Sequence, residues 1–223
     1  MSAELFADAL LKFLLGVIFT GLLIFLPAGT VYFVNGWVLM VILFVPMFFV
    51  GIEMFFKNPE LLKRRIKLKE KQAKQKPLII LCGLVFASGF IVAGLTYRFN
   101  WYILPQKAVT VAAAVFLISY VLYGEVLREN PYISRTVEVQ SDHKVIDTGL
   151  YGIVRHPMYT ATILMFLSMP LVLGSVYAFI VFLGYPFIIV NRIKLEEEFL
   201  KKELSGYCDY VERVRYRLVP FVW

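Results

Sequence analysis

Long apolar blocks limit the possible folds of this chain more than any other feature. A helix needs about 20 apolar residues to cross the hydrocarbon core of a bilayer. Four blocks of about this length occur, at 10–27, 37–56, 77–97 and 108–127. Charged residues make up only 17% of the chain, whereas a soluble domain contains about a quarter. The sequence therefore predicts an all-α integral membrane protein with four such transmembrane helices.

A fifth apolar block, from Pro157 to Val190, is too long for one ordinary span. Pro170 and Gly174 lie near its middle, and both residue types interrupt helices. We expect two helices of roughly 16 residues that form a tilted hairpin in the membrane. The predicted division is therefore residues 1–126, the N-terminal transmembrane helices, and residues 127–223, which contain the hairpin and most of the reactive side chains.

The positive charges indicate an orientation. The segment 57–76 contains nine Lys or Arg and two Glu, and basic loops stay in the cytoplasm. Counting spans from this segment predicts that the N-terminus, the stretch 128–156 and the C-terminal tail are cytoplasmic too. The segment itself is interpreted either as a loop that only fixes topology or as an interfacial helix.

Composition also narrows the classes of partner. The net charge of +7 is attributed to contacts with anionic lipid headgroups, and no nucleic-acid partner is expected. Two cysteines and two histidines indicate neither a disulfide framework nor a metal site.

Reactive side chains are concentrated in two segments that flank the fifth apolar block. A hairpin returns to the side it entered from, so both segments are expected to meet at its mouth. Taken singly, these residues have simpler interpretations, as headgroup anchors, aromatic-belt residues or a solvated helix face. Their shared position is what favours a functional site. The residues are Arg155, His156 and Tyr159 at the start of the hairpin, and Arg192 and Glu196 after its end.

The order of these residues resembles a known family. The segment HKVIDTGLYGIVRHPMY, the hairpin, and then RIKLEEEFL resemble the isoprenylcysteine carboxyl methyltransferases and the superfamily they share with phospholipid N-methyltransferases. The resemblance covers about residues 127–223 and implies an S-adenosylmethionine-dependent membrane methyltransferase with a cytoplasmic cofactor pocket. The cofactor-binding residues that it implies are His143, Val145, Ile146, Tyr151, His156, Pro157, Met158, Tyr159 and Glu196.

The resemblance also implies catalytic residues. In the family, an Arg four residues before the cofactor-binding Glu faces the substrate carboxylate, and Arg192 has this spacing to Glu196. Arg192 and Glu196 are therefore the predicted catalytic pair. The chain is one residue shorter than the family pattern before Tyr207, so Glu197 is the alternative to Glu196. Glu138 is a partial match to a further cofactor-binding position.

Several functions fit these residues. The leading hypothesis is carboxyl O-methylation of a lipidic, isoprenylcysteine-like acceptor, because a carboxylate is already a nucleophile and needs only to be held by Arg192. Phospholipid amine N-methylation is the alternative, with Glu197 or His156 as candidate bases. A membrane reductase of the sterol type and a non-enzymatic scaffold are further hypotheses, although no Gly-rich phosphate loop is evident.

A membrane-embedded acceptor would also need a groove for its tail. We expect this groove between the fourth span and the hairpin, where small side chains leave room. The alternative is that these residues only allow close helix packing. The residues are Ala112, Ala113, Ala114, Gly124 and Ala161.

Overall fold

The computed structural model describes residues 3–66, 72–134, 139 and 143–223. Within these ranges an isolated bridge between Ile103 and Ser175 is the only extended pairing. The prediction of an all-α protein is therefore confirmed. The α-helices of the described residues are α1 (Ala3–Ala28), α2 (Val34–Lys57), α3 (Pro59–Arg65), α4 (Lys76–Arg98), α5 (Gln106–Glu129), α6 (Pro157–Val172), α7 (Val176–Phe182), α8 (Gly184–Glu203) and α9 (Tyr207–Arg213).

Among the residues that the structure describes, five helical segments are long and apolar enough to cross a membrane. Four of them contain α1, α2, α4 and α5, and each includes one of the predicted spans with a few residues added at the ends. The fifth segment, Val176–Glu203, consists of α7 and α8. The chain is thus an integral membrane protein whose spans follow from block length and hydropathy.

The predicted hairpin is only partly correct. Its first helix is α6, with 16 residues. The second half is divided, because α7 ends at Phe182 and α8 then runs to Glu203, past the predicted end at Val190. Gly174 makes the turn after α6 with a φ of +79°, a conformation that glycine adopts without strain. The extension of α8 has a functional consequence, since the polar residues after Val190 are held on a rigid helix.

Small residues between α5 and α6 serve close packing. Ala112 is 5% exposed and Ala161 is fully buried. Small side chains at such positions let two membrane helices approach each other. The tail groove that we expected between these helices is therefore filled at Ala112 and Ala161, and the packing alternative is correct for both residues.

The first part of the basic segment, residues 57–66, packs against the bundle. Asn58 caps α3, because its Oδ1 accepts a hydrogen bond of 3.1 Å from the backbone N–H of Leu61. Leu61 and Leu62 are buried, and Arg64 donates to the carbonyl of Pro131, 2.9 Å away. This anchors α3 beside the end of α5. Residues 67–71 lie outside the described residues, so the interfacial-helix interpretation stays untested there.

Candidate active site

A pocket opens at the end of the bundle where α5 ends and α6 begins. Its walls come from the loop after α5, from the segment leading into α6, and from α6, α8 and α9. The lining residues are Asn130, Tyr132, Ile133, Ser134, His143, Val145, Ile146, Tyr151, Arg155, His156, Met158, Tyr159, Arg192, Glu196, Leu200, Leu204, Tyr207 and Tyr210. The two segments that flank the apolar block therefore do meet at one end of the molecule.

Most of the residues predicted from the sequence line this pocket. Pro157 is the exception, since it is the buried first residue of α6, where its fixed φ suits the start of a helix. The roles of the others stay predictions. The predicted residues that line the pocket are His143, Val145, Ile146, Tyr151, His156, Met158, Tyr159, Arg192 and Glu196. Glu138, the partial match, lies outside the described residues.

Sequence reasoning missed two groups of lining residues. One is the loop 130–134 after α5, for which the sequence offered no specific signal. The other is Leu200 and Leu204. These follow Arg192 and Glu196 at intervals of four, the spacing of one helix face. The tail after Asn191 was expected to be helical only through the Glu run at 196–198. Extending that helix to Glu203 would have placed Leu200 on the same face and Leu204 directly after its end.

Tyr159 connects the two predicted catalytic residues. Its hydroxyl donates a hydrogen bond of 2.6 Å to Glu196 Oε2 and accepts one of 2.9 Å from Arg192 Nε. Tyr159 is 6% exposed, so it is held in place by α6 packing. The chain Arg192–Tyr159–Glu196 thereby fixes a guanidinium and a carboxylate side by side on the pocket wall.

Glu197 belongs to a different environment. It is 3% exposed and lies in a buried ion cluster. Its Oε1 accepts a hydrogen bond of 2.7 Å from Arg155 Nε and lies 3.2 Å from His156 Nε2. Its Oε2 accepts one of 2.9 Å from Arg217 Nε. Of the two alternatives, Glu196 is therefore the carboxylate that lines the pocket.

The segment 214–217 closes the wall behind this cluster. One guanidinium nitrogen of Arg155 donates to the carbonyls of Val214 and Arg215, at 2.6 and 2.9 Å. The backbone N–H groups of Arg155 and His156 donate to the carbonyls of Tyr216 and Arg217, both at 2.9 Å. Because these bonds fix the residues just before α6, they also determine where the helix enters the pocket.

The segment before α6 is anchored by a glycine. Gly149 has a φ of +54°, and a Cβ atom there would collide with the carboxylate of Glu129. Glu129 Oε2 accepts a hydrogen bond of 2.9 Å from the N–H of Leu150. Two residues after Gly149, the carbonyl of Tyr151 accepts a hydrogen bond of 2.7 Å from the hydroxyl of Tyr210. These contacts hold the segment between α5 and α9.

Two buried polar atoms at the pocket have no partner in the described part of the chain. Neither His143 Nδ1 nor the Tyr207 hydroxyl has a hydrogen bond to any residue that the structure describes. Such groups are rare in native proteins, and a ligand is one explanation for them. The ring of His143 stacks on Tyr132 with centroids 4.5 Å apart. Both residues line the pocket, so polar atoms of a ligand bound there are candidate partners for them.

The protonation of these two groups follows from burial. Burial, together with the nearby Arg64 guanidinium, holds the pKa of His143 below its usual value of 6.5. Burial likewise raises the pKa of Tyr207, with the carboxylates of Glu197 and Glu196 adding to the effect. At neutral pH the pocket thus offers a neutral imidazole and a protonated phenol.

Comparisons with known proteins identify what the pocket region is similar to. Residues 107–205, from the start of α5 to just beyond α8, match the family model described as phospholipid methyltransferase. The chain is also similar to the Delta(14)-sterol reductase of Mus musculus, with 29% identity over 91 residues. That alignment covers 40% of this chain and 22% of the reductase, so the chain spans about a fifth of the relative's length. The pocket of this integral membrane protein is thus built largely from a region similar to the phospholipid methyltransferases, which lie in the superfamily that the sequence resemblance indicated.

Proposed function

We propose that the protein transfers a methyl group from S-adenosylmethionine to a lipidic acceptor, with carboxyl O-methylation as the leading reaction. The observation that carries the proposal is the hydrogen-bonded chain Arg192–Tyr159–Glu196 on the pocket wall. All three residues lie within residues 107–205, the region that matches the phospholipid methyltransferase model.

The pocket residues fit the proposed cofactor. Glu196 would bind its ammonium group by a charge-assisted hydrogen bond. The unpartnered His143 Nδ1 and Tyr207 hydroxyl would satisfy polar atoms of the ligand, while Val145 and Ile146 offer apolar surface. Bound S-adenosylmethionine supplies a methyl group whose bond to sulfur breaks as the acceptor atom bonds to the methyl carbon, leaving S-adenosylhomocysteine.

Arg192 is the residue proposed to orient the acceptor. A guanidinium matches the geometry of a carboxylate, and a carboxylate needs no base at neutral pH. Both candidate bases for an amine acceptor are engaged elsewhere: Glu197 by Arg155 and Arg217, and His156 by Glu197. These contacts favour O-methylation. The family match favours the second candidate, N-methylation of a phospholipid amine.

The similarity to a sterol reductase keeps a third candidate open. A reductase of this kind would bind a nicotinamide nucleotide, whose phosphates require cationic or N–H-rich partners. Arg155 is 5% exposed and bonded to Glu197. It is thereby committed to the ion cluster. We therefore favour methyl transfer over reduction.

We further propose that the pocket faces the cytoplasm. It shares one end of the bundle with the basic segment, since Arg64 contacts Pro131 and the Gln75 side chain donates to the carbonyl of Arg192 at 3.3 Å. Basic segments of membrane proteins stay in the cytoplasm.

The proposed division between residues 126 and 127 falls in the last turn of α5, which serves both parts.

Two measurements test the function. Calorimetric titration of the purified protein should detect S-adenosylhomocysteine binding, and binding of NADPH alone would support a reductase instead. A radiolabelled methyl group should then pass from S-adenosylmethionine to a free isoprenylcysteine carboxylate and be released by mild base, as an ester is. The methyl ester of the same acceptor is the control. A label that appears on phosphatidylethanolamine and resists mild base would show N-methylation, and would overturn the proposed O-methylation.

A further inference from the structure

An apolar groove of about 380 Å³ lies between α1, α2 and α3. This volume falls within the range of roughly 300–1,000 Å³ typical of small-molecule sites. Its walls are largely aromatic and aliphatic, and two glycines lie among them. The lining residues used below are Gly16 and Phe6 on α1, Phe44, Gly51 and Phe55 on α2, and Arg65 on α3.

Arg65 connects this groove to the candidate active site. Its guanidinium lies over the ring of Tyr123, 5.4 Å from the centroid. Its NH1 lies 3.9 Å from Met158 Sδ. Met158 lines the active-site pocket, whereas Arg65 itself lines the groove. The groove and the pocket are therefore neighbours, joined by the contact between Arg65 and Met158.

The length of the groove matches one leaflet of a bilayer. Its lining residues on α1 extend from Phe6 to Gly16, a rise of about 15 Å at 1.5 Å per residue. Those on α2 extend from Phe44 to Phe55, a similar rise. The hydrocarbon core of a bilayer is about 30 Å thick. The groove thus runs from the pocket end of the bundle to about the middle of the membrane, as a lipid tail does.

We infer that this groove binds the long alkyl or isoprenoid tail of the acceptor, and that Arg65 faces the acceptor's anionic group where the tail meets the headgroup. A carboxylate and a phosphate share the charge that Arg65 would recognise. The inference rests on the proposed function for the identity of the occupant.

Glycine substitutions offer a matched test. A Cβ added at Gly51 meets no atom within 4 Å, so Gly51→Phe would place a ring in the groove without a backbone clash. Gly83 on α4 is equally open but does not line the groove, which makes Gly83→Phe the control. Gly124 on α5 is open as well. Gly124→Phe therefore tests the groove that we first expected beside α5.

Steady-state kinetics with acceptors of one headgroup and increasing tail length give the expected result. Each buried methylene strengthens binding by about fourfold. Gly51→Phe should therefore raise KM for the longest tail at least tenfold, and leave KM for the shortest tail and the affinity for S-adenosylhomocysteine unchanged. Gly83→Phe and Gly124→Phe should match the wild type. An effect of Gly124→Phe alone, or equal losses for all tail lengths, would overturn the inference.

A crosslinking experiment separates this inference from the proposed function. A long-chain carboxylate carrying a photoreactive group at its tail end, added to the protein in detergent, should label peptides of α1 and α2. Gly51→Phe should abolish that labelling and Gly83→Phe should preserve it. Labelling of this kind without any methyl transfer would retain the groove and reject the methyltransferase. Methyl transfer with labelling confined to α5 and α6 would retain the methyltransferase and reject the groove as the tail site.

Discussion

Glu196 and Glu197 are neighbours on α8, yet their carboxylates bond to different parts of the molecule. Glu196 accepts a hydrogen bond from Tyr159 at the pocket, whereas Glu197 is bonded by Arg155 and Arg217 inside the protein. Successive residues of a helix point about 100° apart. The two carboxylates can therefore be tested separately, one for ligand binding and one for stability.

Glu196→Gln should weaken binding of S-adenosylhomocysteine by about ten- to a hundredfold, because a charge-assisted hydrogen bond contributes roughly 1.5–3 kcal/mol. Calorimetric titration measures the change. Glu198→Gln is the matched control, since Glu198 is exposed on the same helix. Equal affinity in Glu196→Gln and wild type would remove Glu196 from the cofactor site.

Arg192→Ala should leave the affinity for S-adenosylhomocysteine within a few-fold of wild type and reduce methyl transfer below detection. The reason is that Arg192 is assigned to the acceptor, which a guanidinium orients. Arg192→Lys keeps the charge but loses the planar fork, so it should recover only a fraction of kcat. Cofactor binding abolished by Arg192→Ala would reverse the roles of Arg192 and Glu196.

Glu197→Gln should lower the free energy of unfolding by about 3–5 kcal/mol, because removing one member of a buried ion cluster leaves uncompensated charges. Denaturation in detergent, followed by tryptophan fluorescence, measures this loss. Glu198→Gln again serves as control and should change stability by less than about 0.5 kcal/mol. A loss of that smaller size in Glu197→Gln would mean that the cluster contributes little to folding.

Cofactor affinity should depend on pH through His143. Its pKa is lowered below 6.5 in the folded protein, so the neutral imidazole persists at neutral pH. Because the pKa of His143 is lower in the folded than in the unfolded chain, its contribution to stability is present above the unfolded pKa of about 6.5. That contribution is lost as pH falls through the folded pKa. S-adenosylhomocysteine affinity should therefore be flat above about pH 6.5 and decline below it. His143→Gln should flatten that decline; an unchanged pH profile would contradict the assignment.

The native cysteines report the orientation of the pocket. Cys208 on α9 is exposed and Cys82 on α4 is half-buried. In a Cys82→Ala background, a membrane-impermeant maleimide should label Cys208 only after cells are permeabilised, because α9 lines the pocket proposed to face the cytoplasm. Labelling of intact cells would place the pocket on the outer side.

The spans and much of the site were predictable because their signals are local. Block length alone predicted α1, α2, α4 and α5, and the resemblance selected residues such as His143 and Glu196.

The position of the tail groove was not predictable in the same way. Ala112 and Ala161 suit both a cavity and a tight helix contact, and only the approach of α5 to α6 decides between them. The groove beside α1 is lined by phenylalanines, which are ordinary residues of any span.

The loop after α5 was missed for a related reason. Nothing in the sequence of residues 130–134 distinguishes a pocket wall from a surface turn. The contribution of Leu200 and Leu204 depends on a helix that continues from the apolar block into a charged segment. Hydropathy marks a boundary near Val190, although the backbone hydrogen bonds of α8 continue through it.

The bonds from Arg155 and His156 to residues 214–217 have a consequence for biosynthesis. Domains form in the order in which the ribosome delivers them, and each membrane helix can satisfy its own backbone before its neighbours arrive. The ion cluster behind the pocket cannot form so early, since Glu197 on α8 obtains its partner Arg217 only when the segment after α9 has been made. A nascent chain already inserted through α8 would therefore be anchored in the membrane while the buried carboxylate of Glu197 still lacked its partner Arg217.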